Sequence, residues 1–321
     1  MKLSLKDRKL LYWLDQNSRA SNKELAKRIG LSEQGVGYKL RVLEKVGIIR
    51  KYVTFVNTLA LGYSHYKVLL RLQNTNPKKE KEIINYLKNN ENIRWVASCS
   101  GRWDINFSIM ANTQERFVRT YREIENSFSD YIAEKNVSLL VKSPGFTKGH
   151  FINQNSLHTL EYKATTLNRK LDETDKSILK SISQDARKNI ISISKEIKVT
   201  SDIVRYRLKK LEKEKIISGY TTQLDLPKLN LLRYSVFFSL HKMNEETERK
   251  MISFAKVHNN IIFILVMIGT YDLSLELEVP TYEVLEEIIK KFREQFSDNI
   301  KDFEIIFNTY EYKYDFYPFL M

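Results

Sequence analysis

The residues best equipped for chemistry lie between Ser201 and Lys213 (SDIVRYRLKKLEK), where Arg205, Arg207, Lys209, Lys210 and Lys213 face only Asp202 and Glu212. Guanidinium and ammonium groups spaced along one helix suit phosphate oxygens and base edges. A related stretch, Glu33 to Lys45, sets Lys39, Arg41 and Lys45 against Glu33 and Glu44, and includes Gly35 and Gly37. Each of those glycines costs a helix interior about 1 kcal/mol relative to alanine. Arg50 and Lys51 follow the first stretch, whereas Ser218 and Gly219 stand at the matching place after the second. The whole chain carries 53 Lys and Arg against 39 Asp and Glu, a formal net charge of +14. That excess favours polyanionic partners through phosphate contacts and counterion release. Other chemistries find no footing. The single cysteine, Cys99, and the five histidines show no metal-ligand spacing. There is no nucleophile beside a base, no phosphate loop and no paired carboxylates, so no catalytic residue, metal ligand or cofactor is expected. Cys99 reads as a buried thiol in an apolar strand.

The elements that must position these groups are written twice. Residues 40–52 (LRVLEKVGIIRKY) and 208–220 (LKKLEKEKIISGY) agree in length and apolar spacing, and an offset of 168 extends that register from about Leu3 to the C-terminus. Asp7 falls on Asp175, Arg19 on Arg187, Tyr66 on Tyr234, and Gly101-Arg-Trp-Asp104 on Gly269-Thr-Tyr-Asp272. Such a repeat outranks any local reading. In the first copy, Ser4 with Asp7 and Ser21 with Glu24 form capping boxes before helical stripes. Gly30 ends the second helix, and Ser32 caps a third that carries Val36, Leu40 and Leu43 on one side. Two short helices joined by a tight turn read as a helix-turn-helix. The run Ile48 to Val56 then suits a small hairpin or wing. Thr200, Val204, Leu208 and Leu211 repeat the plan.

The remainder of each copy changes period. Tyr66, Val68, Leu70 and Leu72, and Tyr234, Val236, Phe238 and Leu240, alternate as strands. Asn76 with Pro77, and Asn244, open helices. Further strands flank each glycine-aspartate turn, and Thr113 caps a last helix. The order β-α-β-β-α-β predicts a ferredoxin-like sandwich with helices on one sheet face. Leu69 and Phe237 point from the other face, which is expected to meet a second sheet. On residue chemistry alone, Gly101 to Asp104 and Gly269 to Asp272 are ordinary turns.

The opening patterns LKDRKLLYWL and LDETDKSILK, the tract LAKRIGLS, the string VRYRLKKLEKEKIISGY and the glycine-x-aromatic-aspartate turn together resemble the Lrp/AsnC, or feast/famine, family of transcriptional regulators. The resemblance implies an N-terminal winged helix-turn-helix followed by a βαββαβ effector-sensing domain. It also implies DNA binding tuned by an amino acid or similar small molecule, and assembly of paired sensing domains into larger oligomers. It makes Gly101, Asp104, Gly269 and Asp272 the edge of an effector site. This chain departs from the family in holding two copies covalently. A second reading is an enzyme of the sirohaem decarboxylase type, which resembles such tandem arrangements. The strands that would carry its histidine read GRWDINF and GTYDLSL instead.

The resulting expectation is an α+β protein made of two such copies. The units are a winged helix-turn-helix over 1–60, a ferredoxin-like domain over 61–152, a polar linker over 153–170, a second winged domain over 171–228 and a second ferredoxin-like domain over 229–321. Candidate DNA contacts are Gln34, Tyr38, Lys39, Arg41, Arg50 and Lys51 in the first copy, and Ser201, Arg205, Tyr206, Arg207, Lys209 and Lys210 in the second. Double-stranded DNA, a possible amino-acid effector and self-association of pseudo-dimers are the expected partners. No apolar run approaches the roughly 20 residues that span a bilayer, and no export signal is read at the start. A reducing cytoplasm fits the cysteine usage.

Overall fold

The computed structural model describes residues 3–154, 159–160, 162–164 and 170–317. Of the expected linker, 155–158, 161 and 165–169 lie outside the described residues. The first copy runs α1 (Leu5–Gln16), α2 (Asn22–Ile29), α3 (Glu33–Lys45), β1 (Ile49–Val56), β2 (Ser64–Leu72), α4 (Pro77–Asn89), β3 (Ile93–Ser100), β4 (Ile105–Ala111), α5 (Gln114–Phe128) and β5 (Ile132–Lys142). Two short strands follow, β6 (Gly145–Phe146) and β7 (Thr159–Leu160). The second copy runs α6 (Glu173–Gln184), α7 (Ile190–Ile197), α8 (Ser201–Lys213), β8 (Ile217–Leu224), β9 (Leu232–Leu240), α9 (Glu245–Val257), β10 (Ile261–Ile268), β11 (Leu273–Val279), α10 (Tyr282–Gln295) and β12 (Ile300–Tyr314).

The helices start where polar caps satisfy first-turn amides. Both capping boxes close, Ser4 with Asp7 and Ser21 with Glu24. Ser32 accepts from Gly35 N, and Thr200 from Ile203 N. In each copy the apolar faces of three helices then form one small core. Leu10, Leu14, Leu25, Val36, Leu40 and Leu43 build the first. Ile178, Leu179, Ile193, Val204, Leu208 and Leu211 build the second.

The expected wing hairpin does not form. Each copy supplies one strand, and β1 pairs antiparallel with β8, from Ile49 opposite Leu224 to Val56 opposite Ile217. A lone strand leaves half its backbone groups unpaired, and the equivalent strand of the other copy is the nearest match. The exchange interlocks the two winged domains: Leu224 and Leu226 enter the first core, Val56 the second. The interlock is reciprocal elsewhere too. Ser18 N donates to Tyr220 O and Ala186 N to Tyr52 O. Arg187 donates to the carbonyls of Ser18 and Ala20, while Arg19 donates to those of Ala186 and Lys188.

Each βαββαβ half places its strands side by side in the orders β5-β2-β4-β3 and β10-β11-β9-β12. The two inner faces do meet, but within one closed barrel instead of as two stacked sheets. β3 pairs with β12 and β10 with β5, so eight strands close into a barrel with the four helices outside. Closure removes the sheet edges that two separate sheets would expose. Leu69 and Phe237 point into the barrel, where they meet Trp103, Leu265, Met267, Tyr271 and Ile306.

Candidate nucleic-acid interface and the junctions that carry it

α3 and α8 each bury one face and turn the other outward. Tyr38 and Tyr206, equivalent in the repeat, are both 64% exposed, an unusual cost for a large aromatic unless something covers it. Gln34, Arg41, Arg205 and Lys209 share that exposure. Lys210 and Ser201 are half-buried, and Ser201 donates to Ser194 Oγ. Arg205 pairs with Asp202 in its own first turn, an exposed contact that competes weakly with other anions.

Three predicted contacts turn elsewhere. Lys39 binds Asp7 at 2.7 Å, and Arg207 binds Asp172 at 2.7 Å and Asp175 at 3.3 Å. In both copies this cation, the residue after the exposed tyrosine, fastens the third helix to the start of the first. Arg50 donates to Glu311 O at 3.0 Å and lies over the Tyr310 ring. Because β1 pairs with β8 instead of folding into a hairpin, residue 50 leaves the ribbon against the barrel. Its neighbour Lys51 is half-buried.

The glycine-aspartate turns are tightly built. Gly101 and Gly269 adopt φ of +128° and +155°, and a side chain on Gly269 would strike Ser138. Asp104 accepts from Leu72 N at 2.6 Å, and Asp272 from Leu240 N at 2.7 Å. Between them Trp103 and Tyr271 meet inside the barrel over Glu304, and burial pushes the Tyr271 hydroxyl up to about 12. Cys99 is half-buried beside Asn308, and burial raises its thiol to about 12.

The residues that sequence reasoning passed over join the winged domains to the barrel. On one side stands a buried ionic network. Lys148 Nζ binds Asp15 at 2.8 Å, and Thr221 donates to the same carboxylate. Glu278, wholly buried, receives His150 at 3.1 Å and Arg233 at 2.7 Å. Arg233 also binds Glu311, which accepts from Trp95 and Gln223. Burial alone would raise the Glu278 carboxyl, but Lys148, His150 and Arg233 hold it far below its usual range. The matching side is aromatic. Phe55 packs on Phe316, Tyr162 and Phe263 at 4.3, 5.3 and 5.8 Å between ring centroids. His65 hydrogen-bonds Thr58 and Tyr162, and burial, with Arg94 nearby, pushes its pKa down to about 3. One signal was available. At the 168 offset Asp15 falls on Ser183, Lys148 on Phe316, Arg233 on His65, Glu278 on Met110 and Glu311 on Ser143. Five charges in one junction thus answer five residues without a fixed charge in the other.

Comparison with known proteins bears on this geometry. A family model described as "Winged helix-turn-helix DNA-binding" matches residues 3–50 and again 171–218. The chain is 34% identical over 96 residues to the HTH-type transcriptional regulator LrpA of Pyrococcus horikoshii, covering 30% of this chain and 67% of that protein. It is 30% identical over 127 residues to the HTH-type transcriptional regulator FL11 of Pyrococcus abyssi, covering 39% of this chain and 77% of that one. This chain belongs to the Lrp/AsnC family of transcriptional regulators. Across its whole length it shares a fold with the siroheme decarboxylase NirDL, with a TM-score of 0.60 over 96% of this chain and 92% of that one at 14% identity. That likeness spans both copies, so it extends to the fold of the duplicated chain.

Proposed function

We propose that this Lrp/AsnC chain is a covalent pseudo-dimer that reads an asymmetric DNA site, α3 on one half-site and α8 on the other. The observation that carries the reading is the pairing of matched exposure with unmatched charge. Tyr38 and Tyr206 are presented alike, and the ribbon with the Arg19 and Arg187 clamps holds the two helices at one spacing. Their outward residues differ: Gln34 aligns with Asp202, Gly37 with Arg205 and Arg41 with Lys209. Two-fold DNA symmetry mirrors protein symmetry, so unlike helices call for unlike half-sites. α8, with the larger net positive charge, supplies more of the phosphate attraction. The contact set is Gln34, Tyr38, Arg41 and Lys51 with Ser201, Arg205, Tyr206, Lys209 and Lys210. Residues 1–60 and 171–228 act as the reading units. Residues 61–152 and 229–321 act as ferredoxin-like sensing units. A small effector, an amino acid in the simplest case, is placed at Gly101, Asp104, Gly269 and Asp272, where a second pseudo-dimer would complete the site. Selection of bound sequences from a random DNA pool tests the reading. An asymmetric consensus is the expected product, and a perfect palindrome bound by one chain overturns it.

The enzyme reading has the fold shared with NirDL in its favour. The cavity lined by His65, Lys67, Trp95 and Glu276 measures about 110 Å³. Pockets for drug-sized ligands run from roughly 300 to 1,000 Å³, so a tetrapyrrole would have to open it. Absorbance spectra after incubation with sirohaem separate the two readings, and an unshifted spectrum is expected of a regulator.

A further inference from the structure

The two junctions also differ in what covers the end of a strand. β12 keeps β3 along one edge, but its pairing with β9 ends at Asn308, so residues 309–314 have, among the described residues, no strand on the other side. In the first half the matching residues, 141–146, are covered by the chain itself. Lys142 bridges to Lys163, Ser143 N donates to Tyr162 O at 2.8 Å, and Gly145 pairs with Leu160. Asn57 Nδ2 donates to Lys163 O, and the Tyr162 hydroxyl reaches Thr58 and His65. At the 168 offset Asn57, Thr58, His65, Lys142 and Ser143 become Asp225, Leu226, Arg233, Tyr310 and Glu311. All five line an open cleft of about 440 Å³, walled further by Pro280 and Phe307. The molecule thus holds one filled and one open version of the same slot.

We infer that the open cleft accepts an extended peptide segment of another protein, added as a strand along residues 309–314 of β12 and offering an acceptor oxygen to Arg233. Strand addition to an exposed edge draws affinity from main-chain hydrogen bonds and specificity from alternate side chains. In the filled half the Tyr162 hydroxyl meets His65 at 2.7 Å. Its counterpart Arg233 lines the open cleft and keeps a buried Nε without a partner. A second copy of this chain is a poor donor, because its own Leu160, Tyr162 and Lys163 are already seated in its own first half. The occupant touches Arg233 and Glu311, which belong to the ionic junction, and Arg50, which leaves the β1–β8 ribbon there. Nothing in this assignment rests on how the helices read DNA.

The test is hydrogen exchange on the full chain with blocked pentapeptides, beginning with Thr-Leu-Glu-Tyr-Lys, the sequence of residues 159–163, and versions with Gln or Leu in place of the tyrosine. Without peptide, the Glu311 amide is expected to exchange faster than the Ser143 amide. Saturating Tyr or Gln peptide should slow exchange across 309–314 and leave 141–146 unchanged, with the Leu peptide binding about tenfold more weakly. Equal protection of Glu311 and Ser143 in the free chain would overturn the inference, as would absence of any peptide effect on 309–314. Protection that rises with chain concentration alone would assign the cleft to a second copy. Protection by free amino acids but not by peptides would assign it to a small ligand. Either result also overturns the inference.

Discussion

The ionic junction around Glu278 and the aromatic junction around Phe55 occupy equivalent places, yet they hold the same two domains together by opposite means. The aromatic side relies on apolar area and close packing around the neutral ring of His65, which change little with salt. The ionic side relies on mutual compensation. Removing charges from water is costly, and the network is tolerable because every buried charge faces another. The winged domains are thus fastened asymmetrically, with one junction built on apolar packing and one on paired charge.

The contrast breaks most visibly at Glu278. Glu278→Ala takes from buried His150 and Arg233 the carboxylate they share, and removal of one partner of a buried pair typically costs about 3–5 kcal/mol. Urea unfolding should show a loss of that size. Phe316→Leu on the aromatic side should cost about 1–2 kcal/mol, because a partly buried ring is trimmed and no charge is stranded.

Acid separates the junctions further. His65 has a folded pKa of about 3, below the unfolded value of about 6.5, so between those limits the unfolded state binds more protons. Its contribution is complete above about pH 6.5 and declines as pH falls toward 3, by about 1.4 kcal/mol per unit. Glu278 has its folded pKa depressed, so its contribution is present above the unfolded value of about 4.3 and declines only below it. Between about pH 6.5 and 4.5 the aromatic side is therefore the acid-sensitive one. Unfolding measured at about pH 7 and 5.5 should differ by roughly 1 kcal/mol in the parent. In His65→Gln that difference should largely vanish, and an unchanged slope would sink the assignment.

At the proposed DNA face the same contrast predicts unequal grip. Arg205→Ala with Lys209→Ala should reduce affinity and lower the salt slope by about one for each phosphate no longer neutralised. The matching change Arg41→Ala should remove a single unit. Gel shifts across a salt series measure both.

Much of this was legible in the sequence. Caps and apolar stripes located the helices and the strands, because each depends on residues near one another in the chain, and the 168 offset matched the elements of one copy to those of the other. Partnership between distant strands was not legible. Ile48 to Val56 reads as extended in any context, and nothing in its composition says that its neighbour lies at Ile217. That same ignorance misdirected Arg50, a plausible wing contact until β1 pairs with β8. The ionic network stayed hidden for a related reason: Asp15, Lys148, Arg233, Glu278 and Glu311 are scattered along the chain, and each alone is the residue type most often solvated. Only aligning the copies exposes them as one set.

The smallest expected effect tests whether divergence left local cost behind. Gly47 closes the turn after α3 with φ +71°, and its counterpart after α8 is Lys215 at φ +59°. A left-handed conformation costs an L-residue roughly 1–2 kcal/mol, while glycine adds about 0.5–1 kcal/mol of chain entropy on folding. Lys215 is exposed, so its side chain has little packing to lose. The balance favours Lys215→Gly by less than about 1 kcal/mol, read as a small rise in the urea midpoint at unchanged m-value. Gly47→Lys should reverse the sign and exceed it, because a side chain there also meets Lys228 Nζ. If both changes destabilise, Lys215 is held by contacts of its own, and the turn after α8 has been rebuilt instead of merely tolerated.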